Sequence, residues 1–274
     1  MDYEIVIKPK KGLASIDFKE LWHYRELLYF FAWRDIKLRY RQTIIGIGWA
    51  VLQPFLMMVV FSVIFGSIAK VSSDNIPYPI FSYAGLLFWN IFSNSLNGAS
   101  QSLIENSNTI KKVYLPRIIL PIASATITIA DFFFAFLVFL GLLIYYHFMP
   151  HFLGLVLLLP LLLLTIMASM GLGLFLSALN VKYRDVRYAL PFFIQLLIFI
   201  TPVIYPISIV SEKYRWILAL NPMTGIIETF RSTFFGTAPI DWITLLISVI
   251  TSLIFLFFAL WYFLKTERTF ADII

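Results

Sequence analysis

Apolar residues fall along this chain in long blocks separated by short polar or basic punctuation. The blocks cover about 44–69, 79–103, 118–147, 152–179, 188–205 and 241–264. They approach or exceed the roughly 20 helical residues needed to cross a hydrocarbon core about 30 Å thick. A backbone in lipid must satisfy its own hydrogen bonds, and runs of this length do so as helices. The pattern therefore predicts an all-α integral membrane fold with six transmembrane helices in one domain, residues 1–274. The first block, about 26 residues long, exceeds the need and predicts a tilted span.

Two stretches depart from that pattern. Over 17–41, Leu21, Tyr24, Leu28 and Phe31 recur at steps of three and four, while Lys19, Glu26 and Asp35 fall elsewhere around the helix. Asp17 and Glu20 have capping-box spacing, and Ile16 with Leu21 has staple spacing. This predicts an amphipathic helix lying in the membrane interface. Within it, Arg34, Lys37, Arg39 and Arg41 place four cations in eight residues just before the first span. The second stretch is 206–240. Trp216–Leu220 and Met223–Phe235 are apolar at helical spacing, broken by Asn221-Pro222 and ended by Gly236. Neither piece is long enough to span. Two short re-entrant helices before the last span satisfy the backbone if protein covers the bend.

Charge then sets the topology. Of the 21 lysines and arginines, seventeen fall in 1–43, 104–117, 180–187 and the C-terminal tail. The other side holds Lys70, Lys213, Arg215 and Arg231. The positive-inside rule places the crowded side, with both termini, in the cytoplasm. The +6 net charge is thus read as a topology signal rather than a nucleic-acid footprint. Only 13% of residues are charged, about half the share of a soluble domain. Residues 1–15 hold Lys8, Lys10 and Lys11 without the apolar core of a signal peptide, so the first span is expected to act as its own insertion signal. The chain has no cysteine, which excludes disulfides and thiolate metal sites.

Candidate chemistry is sparse. No Gly-x-x-x-x-Gly-Lys-Ser/Thr phosphate loop is present, so ATP-driven work by that route needs another polypeptide. Asp131, near the middle of the third block, is the ionisable side chain most clearly buried in a span. Hydrogen bonds to Thr128 or Ser124 are its structural reading; a proton relay would need several groups in series. His147 and His151 flank Pro150 in an outer turn, a poor metal site. Glu228 and Arg231 are three apart and suited to pairing on one helix face. Phenylalanine, tyrosine and tryptophan make up 18% of the chain. In the second block Tyr83, Phe88, Trp89 and Phe92 lie among Ser82, Asn90, Ser93 and Asn94, a mixture of rings, hydroxyls and amides suited to sugar.

Several motifs have a familiar form. The run Trp33-Arg34-Asp35-Ile36-Lys37-Leu38-Arg39-Tyr40-Arg41-Gln42-Thr43, followed by Gly46-x-x-Trp49-Ala50 and Gln53-Pro54, resembles the opening motif of ABC-2-type transporter permeases that export polysaccharides. Leu115-Pro116-Arg117 resembles the same family. So does Asn221-Pro222-Met223-Thr224-Gly225-Ile226-Ile227-Glu228-x-Phe230-Arg231. The likeness covers nearly the whole chain in order, nearest to lipid-linked O-antigen exporters, with wall teichoic acid exporters close behind.

The resemblance implies a homodimer in the bacterial cytoplasmic membrane, joined to two copies of a separate subunit that holds the ATP and magnesium. This chain itself would carry no cofactor. Contact with the ATPases would involve Arg34, Asp35, Lys37, Glu105, Asn106, Lys111, Lys112 and Arg117, with Lys182, Tyr183, Arg184 and Asp185 adding to it. A lipid-linked polysaccharide would pass between the copies along spans one, two and five, with Trp49, Phe55, Tyr83, Phe88, Trp89 and Phe92 on its path. Residues 206–240, including Asn221, Pro222, Glu228 and Arg231, would form the outer gate. A drug-exporting permease, a proton-driven carrier and a membrane enzyme acting on glycans compete with this. The amide-and-ring lining disfavours the first, the lone buried carboxylate and missing inverted halves the second. For the third, no convergent set of carboxylates or histidine is present.

Overall fold

The computed structural model describes residues 18–41, 46, 48–267 and 270, and its regular elements are all helical among them. α1 (Phe18–His23) and α2 (Arg25–Arg41) form the N-terminal helix. Only Tyr24 interrupts it, and bonds from Tyr24 N to Glu20 O and from Leu28 N to Tyr24 O carry the ladder across. Then come α3 (Gly48–Phe61), which continues as a π-helical stretch to Ile68, α4 (Tyr78–Glu105), the one-turn α5 (Ser107–Ile110) and α6 (Ile119–Tyr145). After these follow α7 (Phe152–Lys182), α8 (Val186–Ile200), α9 (Glu212–Ala219), α10 (Pro222–Phe235) and α11 (Trp242–Thr266). The expected capping box at Asp17, the staple at Ile16, Lys8, Lys10, Lys11, Gln42, Thr43 and Arg268 lie outside the described residues.

Among the described residues four helices are long and apolar enough to cross a membrane: Gly48–Ile68, α6, α7 and α11. The other two expected spans differ in instructive ways. α4 has 28 residues, so length does not disqualify it; its amides and hydroxyls lower its apolarity. α8 stops at Ile200, short of the expected 205. Its 15 residues give about 22 Å at 1.5 Å per residue, less than the hydrocarbon thickness. Pro202 is the reason: a proline drives the residue before it out of helical geometry, and Thr201 has ψ 140°. The chain at Thr201–Ile204 nonetheless stays buried, with Val203 fully enclosed. The two short helices expected over 206–240 are present as α9 and α10, preceded by a 3₁₀ turn at Ile207–Ile209.

α4 sits at the centre of the bundle, packed on α3, α6, α7 and α10, while α11 covers α7 and α10. In lipid, helices gain little from expelling water, so association rests on close packing and on hydrogen bonds. Rings supply much of that packing around Phe139, which meets Tyr83, Phe230, Phe234 and Phe235. Missing side chains supply the rest. A Cβ on Gly154 of α7 would lie 2.4 Å from Phe234 Cα, and one on Gly225 of α10 would lie 2.7 Å from Thr244 O of α11. Backbone cannot yield as a side-chain tip can. Gly154→Ala is therefore expected to cost about 2 kcal/mol and to lower the melting temperature of the detergent-purified protein by about 5 °C. Unchanged melting would mean that α10 is free to shift.

Candidate functional site

At the basic end, the residues expected to couple to an ATPase separate into two groups. α2 carries Arg34, whose Nε donates to Asp35 Oδ1 at 2.7 Å and whose Nη2 donates to Asn106 Oδ1 at 2.9 Å. Asn106 closes the end of α4, its own amide donating to Ser102 O at 2.8 Å. Arg34 thus joins the amphipathic helix to the α4–α5 corner, a link between residues 72 apart in sequence. Tyr114 Oη also donates to Glu20 Oε1, at 3.0 Å. Lys37, Glu105, Lys111 and Lys112 stay exposed around this corner, and Arg184 and Asp185 are exposed on the α7–α8 turn. Arg117 is used differently. Its guanidinium bonds to Glu267 O and its backbone N–H to Glu267 Oε1 at 3.3 Å, so it fastens the end of α11.

Deeper in the bundle, Asp131 of α6 is 7% exposed. The expected partners Thr128 and Ser124 turn back to their own helix, donating to Ala125 O and Pro121 O. Instead α2 supplies the partners: Tyr40 Oη donates to Asp131 Oδ1, and Arg39 Nη2 lies 2.7 Å from Oδ2. Sequence distance hid this, because the pairing bridges 91 residues and two elements. The pair borders a cleft between α2, α3, α4 and α6, walled by Gln53, Asn90, Asn94 and Thr128 as well as Arg39 and Asp131.

The aromatic residues assigned to a polymer path do not share one surface. Tyr83 and Phe88 are fully enclosed and Trp89 and Phe92 nearly so, all within this chain's core. Tyr83 Oη donates to Ala135 O at 3.1 Å, and Phe88 packs on Phe230 at 4.7 Å between ring centres. Trp49, by contrast, is 52% exposed and Phe55 half-buried. What sequence spacing missed is that α4 divides its rings from its amides. The rings face inward, while Asn90, Ser93, Asn94, Asn97 and Gln101, at helical spacing, share a half-buried stripe.

At the opposite end, Asn221 caps α10 by accepting from Met223 N at 3.1 Å and donates to Thr201 Oγ1 at 2.8 Å; Pro222 stands at the first position of that helix. Arg231, 3% exposed, reaches the backbone exposed by the break after α8. It donates to Pro202 O at 2.6 Å, to Val203 O at 2.7 Å and to Phe81 O of α4 at 3.0 Å, with its guanidinium 3.6 Å above the Phe81 ring. Tyr78 Oη takes the next carbonyl, Ile204 O, at 2.6 Å. The expected Glu228–Arg231 pair is present at 3.6 Å, and Glu228 also accepts from Ile207 N at 3.2 Å. Beyond α10, Asp241 caps α11. Burial pushes its carboxyl up, but hydrogen bonds from Thr244 Oγ1, Thr244 N and Ile243 N outweigh that and hold it below the usual carboxylate range. Protonating Asp241 would loosen this cap as pH falls through its lowered value. His147 and His151 do not converge on a metal site with other ligands, and no cluster of three or more such residues occurs among the described residues.

A helical bundle with four membrane-length helices, broken backbone held inside protein and a polar cleft beside its central helix has the features of a membrane transport protein. The family model for ABC-2 type transporters matches residues 26–235, and the chain belongs to that family. It is 30% identical to the O-antigen export system permease protein RfbA of Myxococcus xanthus, over 79% of this chain and 83% of that protein. A protein of the same name from Klebsiella pneumoniae is 29% identical over 88% of this chain and 92% of its own length. The polysialic acid transport protein KpsM of Escherichia coli is 27% identical over 72% of this chain and 77% of its own.

Proposed function

We propose that this chain is the permease subunit of an ABC transporter that exports a lipid-linked polysaccharide of the O-antigen kind across the bacterial cytoplasmic membrane, powered by a separate ATP-binding subunit. Likeness to O-antigen export permeases over about four-fifths or more of the chain supports the cargo. The observation that carries the mechanism is the Arg34–Asn106 bond, which makes α2 and the α4–α5 corner one body. A partner pressing on the exposed Lys111 and Lys112 would then move the amphipathic helix as well, and through Arg39, Tyr40 and Asp131 would move α6.

In this reading both termini are cytoplasmic and α4 and α8 complete six spans. α9 and α10 re-enter from the outer side as the gate, with Asn221, Glu228 and Arg231 bracing it. Two copies of the chain join two copies of the ATPase. The sparsely buried α3 and the exposed Phe192, Phe193, Leu196 and Phe199 of α8 leave apolar surface for lipid and for the second copy.

Charge reversal at Lys111 and Lys112 tests the docking surface. Each exposed cation facing a carboxylate is worth roughly 0.5–1 kcal/mol, so Lys111→Glu with Lys112→Glu, which adds repulsion, should weaken assembly about tenfold. Titrating the purified ATPase against the permease in nanodiscs reads this directly. Unaltered affinity would remove that corner from the docking surface.

A further inference from the structure

We infer that the end of α3 beside Lys70 is a winding switch. Its π-helical turn, Ser62–Ile68, is held by contacts with the segment 204–210 and rewinds to α-helix when α9 and α10 carry that segment away. This rests on the reading of α9 and α10 as the outer gate and names the element that answers their movement. A π turn holds one residue more than an α turn and occurs mostly as a single bulge, frequently at functional sites. Here Ala69 N donates to Ile64 O and Val71 N to Phe65 O, both at 2.8 Å. No proline lies within Ser62–Ile68 to force the extra residue. What the turn does have is a wall. Gly66 lies on Tyr78, the first residue of α4, so closely that a Cβ at position 66 would stand 2.8 Å from Tyr78 Cγ. Tertiary contact, rather than local sequence, selects this winding.

The loop that follows is strained in the same place. Lys70, Asp74 and Asn75 have φ of 50°, 51° and 62°. None is glycine, and a side chain in the left-handed region costs free energy, so the conformation persists only where neighbours hold it. The holding contacts come from one segment. Ser208 Oγ donates to Asp74 Oδ1 at 2.8 Å across 134 residues, and Tyr78 Oη donates to Ile204 O at 2.6 Å. That segment belongs in turn to the two short helices. Ile207 N donates to Glu228 Oε1 of α10 at 3.2 Å, and Arg215 Nε of α9 donates to Val210 O at 2.9 Å. Movement of α9 and α10 therefore withdraws both restraints together. The released turn passes its extra residue onward, so the Lys70 end of α3 advances by about 1.5 Å and turns by about 100°. Asp74 and Asn75 are then free to leave the left-handed region.

The test uses the permease assembled with its ATPase in proteoliposomes. The chain has no cysteine, so Asp74→Cys with Ser208→Cys supplies its only pair. Oxidation, read as loss of maleimide labelling, should join the two positions in the resting complex. It should do so at least tenfold more slowly once vanadate has trapped the ATPase with nucleotide. The joined form should export an O-antigen glycan at least tenfold more slowly, and reductant should restore the rate. Cross-linking indifferent to nucleotide, or full export by the joined form, would overturn the switch. Deleting Ile64 removes the extra residue, so the turn closes as α-helix with its end held where it rests. A folded variant that still hydrolyses ATP should lose export at least tenfold; one that exports normally would overturn the rewinding. Should the shortened chain not fold, Gly66→Ala beside the cysteine pair decides. Its methyl meets the Tyr78 ring in the π form, so resting cross-linking should slow at least tenfold, and unchanged cross-linking would overturn the proposal. A complex whose cross-link answers to nucleotide while no glycan moves would sink the exporter reading and leave the switch standing.

Discussion

Arg231→Ala is expected to leave the protein unable to hold its fold at the end of the bundle that carries α9 and α10. The guanidinium satisfies three backbone carbonyls from two separate segments, Phe81 O on α4 and Pro202 O and Val203 O after α8, and it neutralises Glu228. Alanine would strand all of these in a place that water barely reaches. Removing one partner of a buried charge pair costs about 3–5 kcal/mol, and each orphaned carbonyl adds to that. Such a loss equals a large part of a typical stability. Detergent extracts should show a collapse of the monodisperse peak in size-exclusion chromatography. Arg231→Lys should recover only part of it, since an ammonium cannot span the same carbonyls in a planar fork. A monodisperse Arg231→Ala protein with near-native melting would show that the break after α8 supports itself.

Asp131→Ala is expected to reduce export about tenfold while ATP hydrolysis by the assembled complex is largely kept. A hydrogen bond to a charged group contributes about 1.5–3 kcal/mol, and the lower figure applies because Arg39 is partly exposed and screened. About 1.4 kcal/mol corresponds to a tenfold shift toward an undocked α2. In the coupling proposed above, an ATP-binding partner pushing on the α4–α5 corner would then still hydrolyse ATP, yet less of the motion would reach α6. Tyr40→Phe should produce a smaller effect in the same direction, and combining it with Asp131→Ala should add little, because both remove one contact. Loss of export and hydrolysis in equal measure would instead make Asp131 a residue needed for folding.

These two residues mark where the sequence was legible and where it was not. Glu228 and Arg231 announced their pairing by spacing alone, because helix neighbours at three residues face each other. Arg231's larger task, satisfying the carbonyls after α8, depends on bringing residue 231 beside residues 81, 202 and 203, which no local spacing encodes. Asp131 was recognisable as an anomaly in an apolar run, but its partners sit 91 residues away on a different helix. Reading Tyr83, Phe88, Trp89 and Phe92 as a sugar surface followed composition without knowing which side of α4 met the core. The helix proved to turn its rings inward and its amides toward the cleft, so Trp89→Ala or Phe92→Ala would test packing before transport.

The residue pattern alone determined that the chain forms long apolar helices, four of them of membrane length among the described residues, and which loops collect positive charge. Those properties follow from hydrocarbon thickness, backbone self-satisfaction and proline geometry, each of which acts within a few turns of chain. Only the tertiary structure decided which polar groups are spent and which are left open. A hydrogen bond between distant segments is a property of their meeting, and the meeting of α2 with α6, and of α10 with the break after α8, is set by packing across the whole bundle.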